Sequence, residues 1–140
     1  MTANQEKASL YLNELKRAEE AIQKKEIELD ALRYRASGSG AIRYDKDKVQ
    51  NSPESYMELA MDEIVKLSLK IDKDKDVLDK KLGRAYKLVK KLEDRDHRTL
   101  IIWFYLNGAT MKITAERMAV SERKAYYIQE TALEEFGKAL

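Results

Sequence analysis

Residues Met111–Glu130 read MKITAERMAVSERKAYYIQE and contain the most informative pattern of the chain. A short amphipathic segment runs to Met118, a three-residue break follows at 119–121, and a second helical segment begins at Ser121. Small or apolar residues recur along both segments, at Thr114, Ala115, Met118, Val120, Ala125 and Ile128. This spacing lets two short helices cross and bury one face each, which is typical of a helix-turn-helix whose second helix can lie in a DNA major groove.

The residues on either side are expected to complete a small core. The segment DRDHRTLIIWFYLNG opens with an acidic cap and then packs seven apolar or aromatic residues together, from Leu100 to Leu106. Such density predicts a fully buried helix that ends at Asn107 and Gly108. Thr110 is placed to cap the next helix, and the tail ALEEFGKAL continues the last helix and returns apolar residues to the same core.

The first 92 residues carry two long helical patterns. One runs from about Ala3 to Ala36, the other from Glu54 to about Leu92, and a loop at about 37–53 joins them, with Pro53 at the start of the second helix. Each pattern has an apolar seam with steps of three and four residues, namely Tyr11, Leu15, Ala18, Ile22, Leu29, Leu32 and Ala36 in the first, and Met57, Ala60, Ile64, Leu67, Ile71, Leu78, Ala85, Leu88 and Leu92 in the second. These are coiled-coil seams, and neither can be buried alone.

The simplest arrangement of the two seams is an antiparallel helical hairpin. Two alternatives remain: helices of two chains pair, or two hairpins dock into a four-helix bundle. Because a lone hairpin exposes the margins of each seam, we expect homo-oligomerisation through residues 1–92. Lys25, Asp74 and Lys81 interrupt the seams and either fix the register or extend into solvent. The predicted fold is all-α: a coiled-coil hairpin over 1–92, then a helix-turn-helix bundle over 93–140.

Composition narrows the class of protein. The 140 residues include 37% charged residues, one proline, one histidine and no cysteine, which favours helix and removes disulfides and thiolate metal sites. No apolar run approaches the roughly 20 residues that span a bilayer, and the start MTANQEKAS lacks a signal-peptide core. A soluble intracellular protein without membrane contact is expected. No set of nucleophile, base and oxyanion donors is present, so we expect neither an enzyme nor a cofactor or metal site.

The net charge near the predicted helix-turn-helix gives little attraction to phosphates. Residues 94–140 carry seven acids and seven bases, within a chain whose total formal charge is +2. Affinity for DNA therefore has to come from local placement of charge, from oligomerisation or from a partner.

The segment LEDRDHRTLIIWFYLNGATMKITAERMAVSERKAYYIQETALEEF resembles region 4 of sigma-70 factors. More closely, the chain is similar to phage late transcription regulators of the ArpU/RinA type. These share its order of elements: a charged first helix, a polar loop of the VQ-x-S kind (here residues 49–52), a second long helix and a helix-turn-helix. The resemblance implies sequence-specific binding to double-stranded DNA upstream of late or packaging genes. It also implies transcription activation in the cytoplasm of a bacterial host, with host RNA polymerase as a further partner.

The sequence departs from that pattern at three positions. Thr114 stands where isoleucine is usual, Ala119 where glycine is frequent, and Ala125 where valine is usual. Ala119 is expected to adopt a left-handed turn, at a cost of about 1 kcal/mol relative to glycine. Thr114 and Ala125 are expected to thin the core between the two helices.

Four residues near the start of the second helix are candidates for reading bases. With Ser121 as N-cap, Arg123 points away from the buried face, and its guanidinium can donate to guanine O6 and N7 together. Glu122 can accept a hydrogen bond from cytosine N4, and Tyr126 and Tyr127 can touch a thymine methyl or a backbone oxygen. For either tyrosine, the alternative is packing against the hairpin.

Five further residues are candidates for holding the DNA backbone. Ser121 and Thr110 can bond phosphates through their hydroxyls and the adjacent helix N-terminal amides. Lys112, Arg117 and Lys124 can neutralise phosphate charge. The alternative for such charges is that they are only solvated.

A second class of function remains open. The chain can be a coiled-coil interaction module whose C-terminal bundle docks RNA polymerase or another protein, with little DNA contact of its own. The neutral charge of residues 94–140 favours this interpretation.

Overall fold

The computed structural model describes residues 1–37 and 53–140. Within these ranges the secondary structure is helical without strands, which confirms the all-α prediction. Helix α1 spans Ala3–Ala36, α2 spans Pro53–Lys90, and α3 begins as an α-helix at Arg95–Leu100 and continues as a π-helix at Ile101–Leu106. Helices α4 and α5 span Met111–Met118 and Glu122–Ala139. The expected loop at 37–53, with its VQ-x-S motif, lies outside the described residues except at its ends.

The chain packs as two compact units that divide both long helices. Unit 1 comprises Met1–Glu19 and Leu78–Leu140, and unit 2 comprises Glu20–Val77. The sequence pattern places a boundary near residue 92 instead. The difference arises because Ala8 and Leu12, on a face of α1 outside the predicted seam, are fully buried in unit 1.

In unit 2 the two helices run antiparallel along the predicted seams. Ile22, Leu29 and Ile71 are buried, and Leu32 and Leu67 line one shallow groove. Lys25 of α1 pairs with Asp74 of α2, and Leu32 of α1 lies beside Leu67 of α2. The second pair is seven residues later in α1 and seven residues earlier in α2, as expected for antiparallel helices. This constant register is that of a coiled-coil hairpin.

Two of the polar seam residues form an ion pair in unit 2. The Lys25 ammonium donates to the Asp74 carboxylate, and next to it Lys75 lies 3.5 Å from Glu26. The hydrogen bond from Lys25 holds the pKa of Asp74 below its ordinary value of 3.8. Both side chains are about two-thirds covered, so a slipped register would leave each charge partly desolvated without its partner. Lys81, the third interruption, is exposed.

Asp74→Asn is expected to lower stability at neutral pH and to have no effect in strong acid. The carboxylate has a lowered pKa in the folded chain, so its contribution is present above the ordinary aspartate pKa and disappears as the pH falls through the folded value. Urea unfolding followed by circular dichroism as a function of pH measures this difference. Asp76→Asn, at an exposed position outside the ion pairs of the described residues, is the matched control. A pH-independent difference between wild type and Asp74→Asn would contradict the assignment.

In unit 1 the beginning of α1 is bonded to α5. Thr2 Oγ1 donates to Glu134, Asn4 Nδ2 donates to the same carboxylate at 3.1 Å, and Gln5 Nε2 donates to the carbonyl of Glu130 at 2.9 Å. The bonds from Thr2 and then Asn4 hold the pKa of Glu134 below its ordinary value. The first turn of α1 is thereby fastened along the second half of α5.

The aromatic segment differs from the fully buried helix that its composition predicts. Leu100, Ile101, Tyr105 and Leu106 are buried, but Ile102, Trp103 and Phe104 are half-buried. Residues 101–106 form a π-helix, in which the amide of Asn107 donates to Ile102 O, five residues back, at 2.8 Å. A run of seven apolar residues covers every side of one short helix, so some side chains must lie at its rim. Phe104 lies there beneath the Lys16 ammonium, which is 4.9 Å from its ring centroid.

Candidate nucleic-acid interface

Two threonine hydroxyls form hydrogen bonds in the first turn of α4. Thr110 is the N-cap, and its Oγ1 accepts a hydrogen bond from the amide of Ile113 at 3.2 Å. Thr114 is fully buried, and its hydroxyl donates to the carbonyl of Thr110 at 2.9 Å. That bond satisfies the hydroxyl, so Thr114 leaves no unpaired polar atom in the core.

The turn between α4 and α5 has the left-handed residue that the sequence predicts. Ala119 has φ 57° and ψ 42°, a conformation that costs about 1 kcal/mol or more without glycine. The amide of Val120 donates to Ala115 O at 3.0 Å, and that of Ala119 donates to Glu116 O at 3.1 Å. This pair of bonds is a Schellman motif, which satisfies the last carbonyls of α4. The turn therefore has this geometry with alanine at the left-handed position.

Helix α5 begins at its predicted cap and crosses α4 through small residues. Ser121 Oγ accepts from the amide of Lys124 at 3.1 Å. Ala125 is fully buried in a cluster with Met111 and Ala115, against which Phe104 and Val120 also pack. Because two of the three clustered side chains are methyl groups, the two helices can approach closely. Farther along α5, Ala132 and Phe136 continue the predicted buried face.

The outer surface of this helix pair holds all the candidate DNA contacts. Nine residues are exposed together on α4, α5 and their caps: Thr110, Lys112, Arg117, Ser121, Glu122, Arg123, Lys124, Tyr126 and Tyr127. Tyr126 and Tyr127 are 53% and 61% exposed, so neither takes the alternative position in the core. The first turn of α5 thus presents a guanidinium, an ammonium and a carboxylate at the N-terminal end of the helix, a combination that can bond base edges and phosphates.

Arg117 has a neighbour that the sequence pattern does not indicate. Its guanidinium carbon lies 4.5 Å from the ring centroid of Trp103, which is the only tryptophan of the chain. A cation over an indole face is attracted to the ring and loses conformational freedom. Trp103 therefore holds the guanidinium of Arg117 at the exposed end of α4. Spacing alone does not reveal the contact, because it depends on where the π-helix places the indole.

The charge around the helix-turn-helix differs from that of the linear segment 94–140. Unit 1 carries 16 bases and 12 acids, a net charge of +4, because the end of α2 folds with it. The nearly neutral C-terminal third is thus part of a basic unit. The net charge of unit 1 therefore attracts a polyanionic partner more strongly than the segment 94–140 would alone.

Other kinds of site find no support in the described part of the chain. No group of three or more histidine, cysteine or acidic side chains is placed to hold a metal ion there. None of the helices described is both long and apolar enough to cross a membrane. No protein-family model, curated protein or solved structure gives a significant match to this chain. Its assignment to a function rests on its own residues.

Proposed function

We propose that the chain is a sequence-specific DNA-binding regulator of transcription, with α5 as its recognition helix. The observation that carries the proposal is the first turn of α5. The Schellman turn at Ala119 and the Ser121 cap hold α5 across α4, and Arg123, Lys124 and Tyr127 are exposed at its beginning. In helix-turn-helix proteins this end of the second helix contacts base edges.

The proposal divides the exposed residues by role. Arg123 reads guanine and Glu122 accepts from cytosine, while Tyr126 and Tyr127 contact thymine methyl groups or backbone oxygens. Thr110, Lys112, Arg117, Ser121 and Lys124 hold phosphates on either side. The resemblance to phage late regulators extends the proposal to activation of late or packaging genes in the bacterial cytoplasm, with double-stranded DNA and host RNA polymerase as partners.

Arg123→Ala is expected to reduce the preference for one DNA sequence while leaving general affinity for DNA largely intact. Duplexes selected from a random pool by the wild-type protein supply the specific ligand, and an arbitrary duplex supplies the reference. Loss of one bidentate contact to guanine should reduce the preference by about 1–3 kcal/mol, roughly five- to 150-fold. Fluorescence anisotropy with both duplexes measures the ratio.

The matched control removes the same charge elsewhere in unit 1. Arg95 is exposed on the first turn of α3, outside α4 and α5. Arg95→Ala should keep the preference of the wild type. Equal preference for the selected duplex in Arg123→Ala and Arg95→Ala would exclude Arg123 as the reader, and failure to select any duplex would exclude sequence-specific binding.

A second candidate function is favoured by exposed apolar side chains in unit 2. Ile27 on α1 and Leu59 and Leu69 on α2 are 70%, 66% and 63% exposed. Exposed apolar residues mark a protein contact where they form a contiguous patch, whereas singly scattered ones are ordinary. These three side chains support an interaction module that docks RNA polymerase or another protein, and they support homo-oligomerisation through residues 1–92. Polymerase captured after nuclease treatment, together with no DNA complex, would favour this candidate over the first.

A further inference from the structure

The end of α2 carries a row of positive charges that the recognition helix does not include. Residues 78–92 contain six bases and one acid, a net charge of +5. Four of the bases, Lys80, Arg84, Lys87 and Lys91, are spaced by four, three and four residues, and we refer to them as the basic stripe. That spacing places them along one side of a helix. Lys81 and Lys90 flank the stripe.

The stripe lies on the outer side of the last turns of α2 in unit 1, with Lys91 one residue beyond the helix. All four side chains are exposed, whereas Leu78, Ala85 and Val89 on the opposite side are buried. A Cβ added at Gly83, beside the stripe, would meet no atom within 4 Å, so the surface there is open. In the described residues none of the four bases belongs to an ion pair.

A solvated helix face is the simpler explanation of such a row, but the sign of its charges argues against it. The exposed residues Glu20, Lys24 and Glu28 of α1 alternate in sign along their helix, as is usual for a face that only meets water. All four side chains of the basic stripe are positively charged. Like charges at this spacing repel each other by a few tenths of a kcal/mol per pair. A row that costs stability and has no internal partner fits an external polyanion.

The stripe belongs to the same compact unit as the helix-turn-helix. Burial raises the pKa of Tyr11, and the nearby positive charge of Arg84 opposes that rise. The Tyr11 ring in turn lies 5.7 Å from that of Phe136 on α5. Arg84 and the recognition helix are therefore connected through Tyr11 and Phe136, and the stripe and α5 belong to the same compact unit.

We infer that the basic stripe binds the phosphate backbone of the DNA duplex on which α5 acts. The four residues extend over about 16 Å of helix. A row of four positive side chains over that length can neutralise several phosphates of one DNA strand. The contact supplies the sequence-independent affinity that residues 94–140 lack. This inference rests on the proposed function for its ligand, double-stranded DNA.

The test compares two variants that lose the same charge from different units. The stripe variant carries Lys80→Gln, Arg84→Gln, Lys87→Gln and Lys91→Gln. The control carries Lys24→Gln, Arg35→Gln, Lys66→Gln and Lys73→Gln, four exposed bases of unit 2. Both variants lose three lysines and one arginine, so their net charges are equal. Circular dichroism melting verifies that both remain folded.

The readout is the salt dependence of binding to a labelled DNA duplex of arbitrary sequence. Each phosphate contact contributes about one unit to the slope of log affinity against log salt. The stripe variant is expected to lose about three to four units of slope and at least about tenfold in affinity at low salt. The control should keep most of the wild-type slope. Equal slopes for the stripe variant and the control would overturn the inference.

Further arms separate this inference from the proposed function. Loss of slope in the stripe variant, together with unchanged sequence preference in Arg123→Ala, would support the stripe and overturn the role of α5. Loss of preference in Arg123→Ala with an unchanged slope in the stripe variant would support the role of α5 and overturn the role of the stripe. Wild-type binding to duplex RNA or to phosphatidylglycerol vesicles, with no DNA complex, would overturn both.

Discussion

Gly137→Ala is expected to destabilise unit 1 by about 2–3 kcal/mol, although alanine is the better helix former. A Cβ at position 137 would lie 2.1 Å from the backbone oxygen of Asn4, 2.6 Å from its carbonyl carbon and 2.9 Å from its Cα. These are backbone atoms of α1, which cannot rotate away as a side chain can. The first turn of α1 must therefore move, and the hydrogen bonds from Thr2, Asn4 and Gln5 to α5 are expected to break.

Urea unfolding followed by Trp103 fluorescence measures the loss of stability, because the only tryptophan lies in unit 1. Hydrogen exchange of the first amides of α1 measures the local release. Gly83→Ala is the matched control, since a Cβ there meets nothing within 4 Å on another helix. It should stabilise the protein by about 0.5–1 kcal/mol through helix propensity alone. Stabilisation by both substitutions would contradict the close approach of α1 to α5.

Phe136→Ala is expected to produce the largest loss of stability, about 3–5 kcal/mol. Phe136 is among the largest fully buried side chains, and its ring lies 5.7 Å from that of Tyr11 on α1. Removing the ring loses the free energy gained by burying it. It also leaves a cavity between α1 and α5, and the helices cannot close this cavity because hydrogen bonds hold them in place. Because many domains have a total stability of only about 5–15 kcal/mol, the variant should unfold at a much lower urea concentration.

The control for Phe136 is another aromatic residue of the same helix. Tyr126 is 53% exposed, so Tyr126→Ala should change the free energy of unfolding by no more than about 0.5 kcal/mol. The two substitutions are expected to affect DNA binding differently at temperatures where both proteins are folded. Tyr126→Ala should weaken DNA binding, and Phe136→Ala should leave it unchanged. Similar unfolding midpoints for both variants would show that Phe136 does not lie in a packed core.

Features that depend on a few neighbouring residues are the ones that the sequence predicts well. The pattern from Ala3 to Ala36 matches the observed bounds of α1, because glycines and serines follow it directly. Thr110 and Ser121 are identified as caps because each side chain bonds an amide three residues ahead. The left-handed conformation of Ala119 occurs in the three-residue connection, 119–121, between two short helices. The exposure of the nine candidate DNA contacts follows from the same helical periodicity.

Contacts between residues that are far apart in the sequence are not visible in a linear pattern. The bond from Thr2 to Glu134 joins residues 132 positions apart, and no periodicity indicates such a pair. Leu12 lies outside the predicted seam because it packs in unit 1 rather than along the hairpin. The indole of Trp103 reaches Arg117 only because residues 101–106 form a π-helix. The spacing of the basic stripe could be read from the sequence, but its membership of unit 1 could not.

The bounds of the helices, their caps and the residues exposed on the helix-turn-helix follow from local sequence, because they depend on hydrogen bonds and side-chain periodicity within a turn or two. The packing of Met1–Glu19 and the end of α2 with the C-terminal helices arises only when the whole chain folds. Such long-range packing depends on shape and volume, as at Gly137, where the absence of a side chain admits the backbone of Asn4. That packing also brings the positive charge at the end of α2 into the same unit as the neutral segment 94–140.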